Sequence, residues 1–274
     1  MDLLQSVLRK ISGLRPTEKI VPLNELSTFQ MWFCQWNSKR LNISMEESIR
    51  RYRKSWELFP AGHGGNGFRK FNDLSYHLFF PFFPDSEDAL FDAYQYYGIL
   101  HFLRMLSYDA DNWNGKSFVQ SELSALKEVN ILDFGCGLAQ RSIGLARYLK
   151  NSGVQVELFL ADIPTIRKDF LLWTAGETGI KTNFLDCTRE KPLPDLPECH
   201  LCIATEVFEH LTDPMAYLKK MDSALQPGGF LLTGVYDHFQ EFMHVSPQLS
   251  PLREELIRLK YTEKEPYTLY RKSV

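Results

Sequence analysis

The chain has 274 residues, a formal net charge of −3, 44% hydrophobic residues and 24% charged ones. That is the make-up of an ordinary globular protein with enough chain to bury a sizeable core. The small negative charge offers no general attraction for a phosphate backbone and argues against a nucleic-acid partner. No apolar run is long enough to span a bilayer, so no membrane partner is expected. The first ten residues, Met1 to Lys10, are amphipathic without the order of a signal peptide, so a cytoplasmic location is expected. Five cysteines form an odd set in a chain too large to need stapling, which suits a reducing compartment. A homodimer stays open.

In chain order, residues 1–115 read as helical. Leu3, Leu4, Val7, Leu8 and Ile11 recur at helical spacing. Asn24 is positioned to cap a second helix through Leu26, Phe29, Trp32, Phe33 and Trp36. Ser44 and Glu47, three apart, form a capping box that opens a third helix to about Phe59. Its Arg50, Arg51, Arg53 and Lys54 read as a solvated face. Pro60 to Gly67 is a glycine-rich loop without the strand before it or the Gly-Lys-Ser/Thr after it that a phosphate loop needs, so it reads as a hinge or lid. A dense aromatic stretch follows, from Phe68 to Phe83, then a helix from Asp85 or Ser86 to about Leu106. Most of these aromatics are expected in core packing, with a few left for a substrate pocket. Asp109 to Gly115 reads as a linker.

From residue 116 the pattern changes to alternating strands and helices. A helix over Phe118–Val129 leads into the strand Ile131-Leu132-Asp133-Phe134, then the turn Gly135-Cys136-Gly137 and a helix around Ser142–Leu149. The next strands are Val154–Leu160, Thr182–Leu185, Leu201–Ala204 and Phe230–Val235. Asp213 and Pro214 make a cap and first turn for a helix to Leu225. Gln226-Pro227-Gly228-Gly229 reads as a sharp turn. One more helix over Leu252–Leu259 and two short strands near Tyr261–Lys264 and Thr268–Arg271 complete the chain. Alternation of this kind predicts an α/β fold: a Rossmann-like, doubly wound, mostly parallel seven-stranded sheet with an N-terminal helical cap. The domains expected are a substrate-covering cap over 1–115 and a cofactor-binding domain over 116–274. Cys199 and Cys202 have the spacing of a metal half-site, but no second pair completes it. They read as small residues packed in a strand, and no metal is expected.

In such sheets ligands bind beyond the carboxyl ends of the strands. Four successive strands end at or just before a polar or acidic residue: Asp133, Asp162, Asp186, then Thr205 and Glu206. With Asp133-Phe134-Gly135-Cys136-Gly137, Glu206-Val207-Phe208-Glu209-His210-Leu211 and Gln226-Pro227-Gly228-Gly229, this set resembles the class I S-adenosylmethionine-dependent methyltransferases. The likeness is to the small-molecule branch with a Glu-x-x-Glu-His signature, over residues 117–274. One departure is Ala139, where that family often has a third glycine. The resemblance implies S-adenosyl-L-methionine as cofactor. Gly135, Cys136 and Gly137 would lie along its methionine part and Asp133 near its amino group. Asp162, with Ile163 beside it, would hold the ribose hydroxyls. Asp186 would face the adenine amino group, Leu185 or Cys187 would pack on the ring, and Thr205 and Glu206 would floor the methionine end.

The reaction implied is in-line methyl transfer to an oxygen or nitrogen nucleophile of a small metabolite, aromatic if the Phe and Tyr supply is a guide. A nucleophile of high pKa needs a base. His238 is the first choice, with His210 and His244 behind it, and Tyr236 could orient the acceptor. Two other readings remain: methylation of a protein or RNA, which the balanced charge disfavours, and a non-catalytic module of the same fold, which an intact cofactor set disfavours.

Overall fold

A computed structural model of the chain describes residues 26–58, 91–92, 94–95, 102, 105–106, 110–238 and 244–274. The Leu3–Ile11 helix, Asn24, the Pro60–Gly67 loop and the Phe68–Phe83 stretch lie outside the described residues. The chain divides into two compact units, Met1–Leu74 and Ser75–Val274. Composition changes after residue 115, where helices give way to alternation, whereas packing follows where side chains dock.

The first unit contains α1 (Thr28–Leu41) and α2 (Met45–Leu58). The cap of α1 is Ser27. Its hydroxyl accepts from the Gln30 N–H, and the Gln30 side chain accepts from the Ser27 N–H, a reciprocal capping box that satisfies two orphan donors. At α2 only half of the expected box forms: Ser44 Oγ accepts from the Glu47 N–H at 3.2 Å. The Glu47 carboxylate turns instead to Arg50 and Arg51, both at 2.7 Å. The two helices are joined at buried Ser48, which donates to the Cys34 carbonyl at 2.8 Å, and by the Phe33 and Tyr52 rings, 5.4 Å apart.

The second unit is the sheet. Its described helices and strands are α3 (Lys116–Ser124), β1 (Glu128–Phe134), α4 (Gln140–Asn151), β2 (Gln155–Asp162), α5 (Ile166–Thr178), β3 (Lys181–Asp186), β4 (Cys199–Ala204), a 3₁₀ turn (Phe208–His210), α6 (Pro214–Ala224), β5 (Leu225–Thr233), α7 (Ser250–Arg258), β6 (Thr262–Glu265) and β7 (Leu269–Arg271). The strand order is β3-β2-β1-β4-β5-β7-β6. Pairing is parallel from β3 to β5, and β7 runs antiparallel to both β5 and β6. The Rossmann-like seven-stranded arrangement expected from the alternation is therefore present, and the terminal hairpin supplies the antiparallel strand. The chain reverses its direction of progress across the sheet between β1 and β4, and that switch opens a crevice at their carboxyl ends.

Central strands are buried on both faces, as parallel strands covered by helices must be. Ile131 and Leu132 on β1 and Leu201 and Cys202 on β4 are fully buried. Cys199 and Cys202 are free thiols inside this core, as small strand residues. Phe170 of α5 stacks near Trp173 and meets Phe102 at 5.3 Å, and Phe91 belongs to the core that also contains Leu132, Phe134 and Leu218. Phe91 and Phe102 thus pack with the sheet.

Two local expectations are corrected. The helix expected over Phe118–Val129 ends at Ser124, and Val129 pairs with Val156 inside β1. Its side chain is 1% exposed, and burial between β2 and the covering layer outweighs one more turn of helix. Gln226-Pro227-Gly228-Gly229 is not a separate turn: α6 runs into β5, which begins at Leu225. Gly228 takes φ +77° at an irregularity in the β4–β5 register. The Gly228 N–H donates to Lys272 O, and the Lys272 N–H donates to Gly229 O, so the backbone there is paired as a strand.

Candidate functional site

The glycine turn is set by its neighbours on β2. The N–H groups of Gly135 and Cys136 both donate to the Ala161 carbonyl, at 2.8 and 3.2 Å. Gly135 takes φ +63° and Gly137 φ +55°, a region where a β-carbon is disfavoured. At Gly135 a β-carbon would also lie 2.6 Å from Val207 Cγ2. Ala139, the departure from the family pattern, sits at φ +51° as the residue before α4. The backbone there has the shape a third glycine would adopt freely, and alanine holds it under mild strain.

Three acids stand at the ends of adjacent strands, as the sequence predicts. Asp162 and Asp186 are direct partners in the β2–β3 register, and Asp133 is the last residue but one of β1, opposite Leu160 of β2. Their surroundings differ. Asp133 is buried and accepts a 2.6 Å bond from the Ser142 hydroxyl. Burial pushes its carboxyl up to about 7, with the Ser142 bond and the Arg141 charge acting in the opposite direction. A cation placed beside it, such as an α-ammonium, would favour its ionised form. Asp162 accepts from the Gly137 N–H at 2.8 Å, from the Ile163 N–H at 2.7 Å and from Arg167 Nη2 at 3.2 Å. The carboxylate clamps the glycine turn to β2, and ribose hydroxyls would have to share or displace those donors. Asp186 is exposed, with both oxygens on Lys168 Nζ at 2.7 and 2.8 Å. Leu185 is partly buried, and Cys187 is buried beside Asp162, its N–H donating to the Asp162 carbonyl at 3.0 Å. Thr205 accepts from Arg141 Nη1 at 2.9 Å. Glu206, at φ +55°, accepts a hydrogen bond from the Tyr236 hydroxyl.

The donor set fits the cofactor that the resemblance implies. A buried acid awaits a cation, a second acid stands at the strand end next to it, and a turn approachable through backbone lies between.

The three candidate histidines come together on the other side of the crevice. The His210 and His244 rings are 4.9 Å apart, His238 and His244 are 5.0 Å apart, and Tyr236 lies 4.6 Å from His238. At their centre is Glu209, fully buried, with Oε1 3.6 Å from His210 Nε2 and 3.9 Å from His238 Nε2. Neither Glu209 carboxylate oxygen has a hydrogen-bond partner among the described residues. Burial pushes its carboxyl up to about 8, against its own backbone N–H, which acts in the opposite direction, and the Glu206 charge adds to the rise. The wall is held from behind: the His238 N–H donates to Pro247 O, the Ser246 N–H to Glu209 O, and the Leu249 N–H to Asp237 Oδ1. Arg253 of α7 binds both the Val235 carbonyl and Asp237.

Sequence reasoning passed over several residues that matter here. Glu209 was visible inside the Glu-x-x-Glu-His run, but its isolation in the interior is a property of packing. Arg167, 4% exposed, sits in the first turn of α5, where the Asp162 carboxylate can reach it. Met105 covers Gly137, where a β-carbon would lie 2.9 Å from its sulfur, and Gln140 donates to the Met105 carbonyl at 3.1 Å. Tyr94 meets His210 at 6.1 Å between ring centres. Burial raises its hydroxyl pKa, with the charges of Glu209 and Asp162 adding, so Tyr94 stands between the two halves of the crevice.

The chain is similar to known proteins. A family model described as "Methyltransferase domain" matches residues 91–264. A curated relative, the ubiquinone biosynthesis O-methyltransferase of Dinoroseobacter shibae, is 29% identical over 106 residues, 39% of this chain. The match spans 40% of that relative's length. Among solved structures, a SAM-dependent methyltransferase from Aquifex aeolicus aligns at 16% identity over 58% of this chain and 89% of its own, with TM-score 0.41. A protein described as a class I S-adenosylmethionine-dependent methyltransferase from Listeria monocytogenes aligns at 14% identity over 90% of this chain and 87% of its own, with TM-score 0.44. No helix among the described residues is long and apolar enough to cross a membrane.

Proposed function

Because the chain belongs to the methyltransferase-domain family, whose model matches residues 91–264, we propose that it transfers a methyl group from S-adenosyl-L-methionine to an oxygen or nitrogen of a small acceptor. One observation carries this reading above others: the crevice at the strand ends has two chemically distinct halves. Asp133, Asp162 and Asp186 beside the glycine turn form one half. Glu209 with His210, His238 and His244 forms the other.

When bound, S-adenosyl-L-methionine supplies a methyl group on a sulfonium sulfur, already activated for displacement. The protein's work is therefore to position, to keep water out and to handle one proton. Asp133 holds the ammonium of the methionine part, which restores the charge that burial makes unfavourable. Asp162 takes the ribose hydroxyls through its oxygens at the end of β2. Asp186, Leu185 and Cys187 accommodate the base, and Thr205 and Glu206 lie beneath the methionine end. Tyr94 and Met105 cover the crevice between the halves. On the acceptor side, a hydroxyl or ammonium must lose its proton before its lone pair can attack. The histidine cluster around Glu209 takes that proton, with His238 the first choice of base. The balanced charge of the chain and an acceptor half lined by side chains of the 3₁₀ turn and the β5 loop favour a small acceptor over a macromolecular one. The O-methyltransferase activity in the curated relative's name favours oxygen as the nucleophile.

The direct test is calorimetric titration of S-adenosyl-L-methionine into the full chain and into Asp162→Ala. Saturable binding to the parent is expected, weakened at least tenfold in the variant, since one charge-assisted hydrogen bond is worth about 1.5–3 kcal/mol. Absence of binding to the parent at millimolar cofactor would reject the reading.

A further inference from the structure

We propose that Glu209, His238 and His244 form a site for a divalent transition-metal cation, zinc or a close analogue, on the acceptor side of the crevice. The carboxylate and two imidazoles each offer one ligand atom, and these atoms all lie within 4.8 Å of one another. Proximity alone would be a weak reason. What adds to it is that Glu209 is fully buried and that neither oxygen has a hydrogen-bond partner among the described residues. Buried carboxylates are paired, hydrogen-bonded or bound to a metal. Glu209 has histidine rings near it at 3.6 and 3.9 Å, beyond hydrogen-bond length.

The donor types select the cation. Two imidazoles and one carboxylate are the His₂Glu set of catalytic zinc sites, which keep a fourth position for water or substrate. All-oxygen sites suit magnesium or calcium instead. Tetrahedral donors about 2.0–2.1 Å from zinc lie about 3.4 Å from one another, so the three groups must close in by about an ångström. Their supports allow a small closure without freedom to scatter. Glu209 sits in the 3₁₀ turn with its carbonyl held by Ser246, and the His238 N–H is held by Pro247. The Tyr236 ring packs against His238, the His210 ring against His244, and Tyr94 against His210.

The consequence for the acceptor is specific. A hydroxyl that coordinates at the open position becomes acidic, as water does on zinc. With the cation in place His238 is a ligand and not the base: the proton leaves to solvent past His210, the oxygen stays as the nucleophile, and the cation keeps its oxidation state. This deepens the proposed function by naming the acceptor class as a hydroxylated compound, phenolic or enolic, able to reach the metal as an oxyanion. The role of the cation rests on the methyl-transfer reading, whereas its binding does not.

The test uses the untagged full chain, stripped with a chelator and dialysed. Cobalt(II) is added while visible absorption is followed, zinc is then added in competition, and metal content is measured after gel filtration. One equivalent of cobalt is expected to give a ligand-field spectrum of an imidazole–carboxylate site, which zinc abolishes. Glu209→Gln, nearly isosteric in its buried place, and His244→Ala, at a half-buried place, are each expected to weaken metal binding at least tenfold. Changing a residue that only holds a metal ligand in place already costs about 10–100-fold. No retained metal, or both variants binding cobalt as tightly as the parent, would overturn the proposal. Titrating S-adenosyl-L-methionine into the same metal-free sample separates the two readings. Cofactor binding without metal uptake rejects only the metal site, and metal uptake without cofactor binding rejects only the methyl-transfer reading.

Discussion

Replacing Gly135 by alanine introduces two separable costs, and a companion change at Val207 isolates one of them. Gly135 is at φ +63°, where a β-carbon costs about 1–2 kcal/mol. The added carbon would also lie 2.6 Å from Val207 Cγ2 and 3.5 Å from Cγ1. Val207 is β-branched and 7% exposed, so it has few rotamers and little room in which to withdraw. Forcing it aside resembles overpacking a core, at about 1–3 kcal/mol. Gly135→Ala should therefore destabilise the sheet unit by about 2–5 kcal/mol. Val207→Ala alone should cost about 2 kcal/mol through lost burial and a small cavity. In the double variant the clash is gone and only backbone strain and lost burial remain. The two changes should then fall short of additivity by about 1–3 kcal/mol. Urea unfolding of the four proteins, followed by far-ultraviolet circular dichroism, gives that coupling energy directly. Additivity to within about 0.5 kcal/mol would mean that the turn and Val207 do not touch as described, and the account of why glycine stands at 135 would fail.

Two further outcomes follow from the acids and the tyrosine of the site. The folded-state pKa of Asp133 is raised to about 7 from an ordinary 3.8. The folded protein thus holds a proton that the unfolded chain releases, and stability is lost as pH rises from about 4 through 7. Asp133→Asn, which keeps an acceptor for Ser142, should raise Tm relative to the parent at pH 8 and leave it nearly unchanged at pH 4. An equal shift at both pH values would reject the buried-charge account. Tyr236→Phe removes the hydroxyl that donates to Glu206. A charge-assisted bond of about 1.5 kcal/mol corresponds to roughly a tenfold loss in cofactor affinity without loss of fold, measurable by calorimetry. Unchanged affinity would detach Glu206 from the cofactor floor.

The sheet was legible because its signals are local. A run such as Ile131-Leu132-Asp133 ending in a glycine turn, or Asp213-Pro214 opening a helix with Asp213 accepting from the Ala216 N–H, needs no distant partner to be read. The same holds for the three acids, each of which stands at or within one residue of its strand's carboxyl end. Errors came where a remote partner decides the outcome. Pro227-Gly228-Gly229 reads as a turn until Lys272, far along the chain, pairs with it. Val129 reads as helix until β2 covers it. Arg167 and Glu209 have ordinary sequence surroundings. Only tertiary packing makes one the neighbour of Asp162 and leaves the other alone among histidines, which is why sequence reasoning named the histidines and not the acid between them.

Among the described residues, the backbone of the wall carrying Tyr236, Asp237 and His238 is fastened by residues that come later in the chain. Pro247, Leu249 and Arg253 hold it, and the Val235 N–H donates to Tyr267 O within the terminal hairpin. The glycine turn and its acids are paired and packed by residues no later in the chain than Val207. Domains made on the ribosome grow from the amino terminus, so a chain paused after β5 would already have the cofactor half of its crevice. The acceptor half would still lack its anchors. The two halves mature in a fixed order, and an incomplete chain able to engage a methyl donor would lack the assembled residues that direct it to an acceptor.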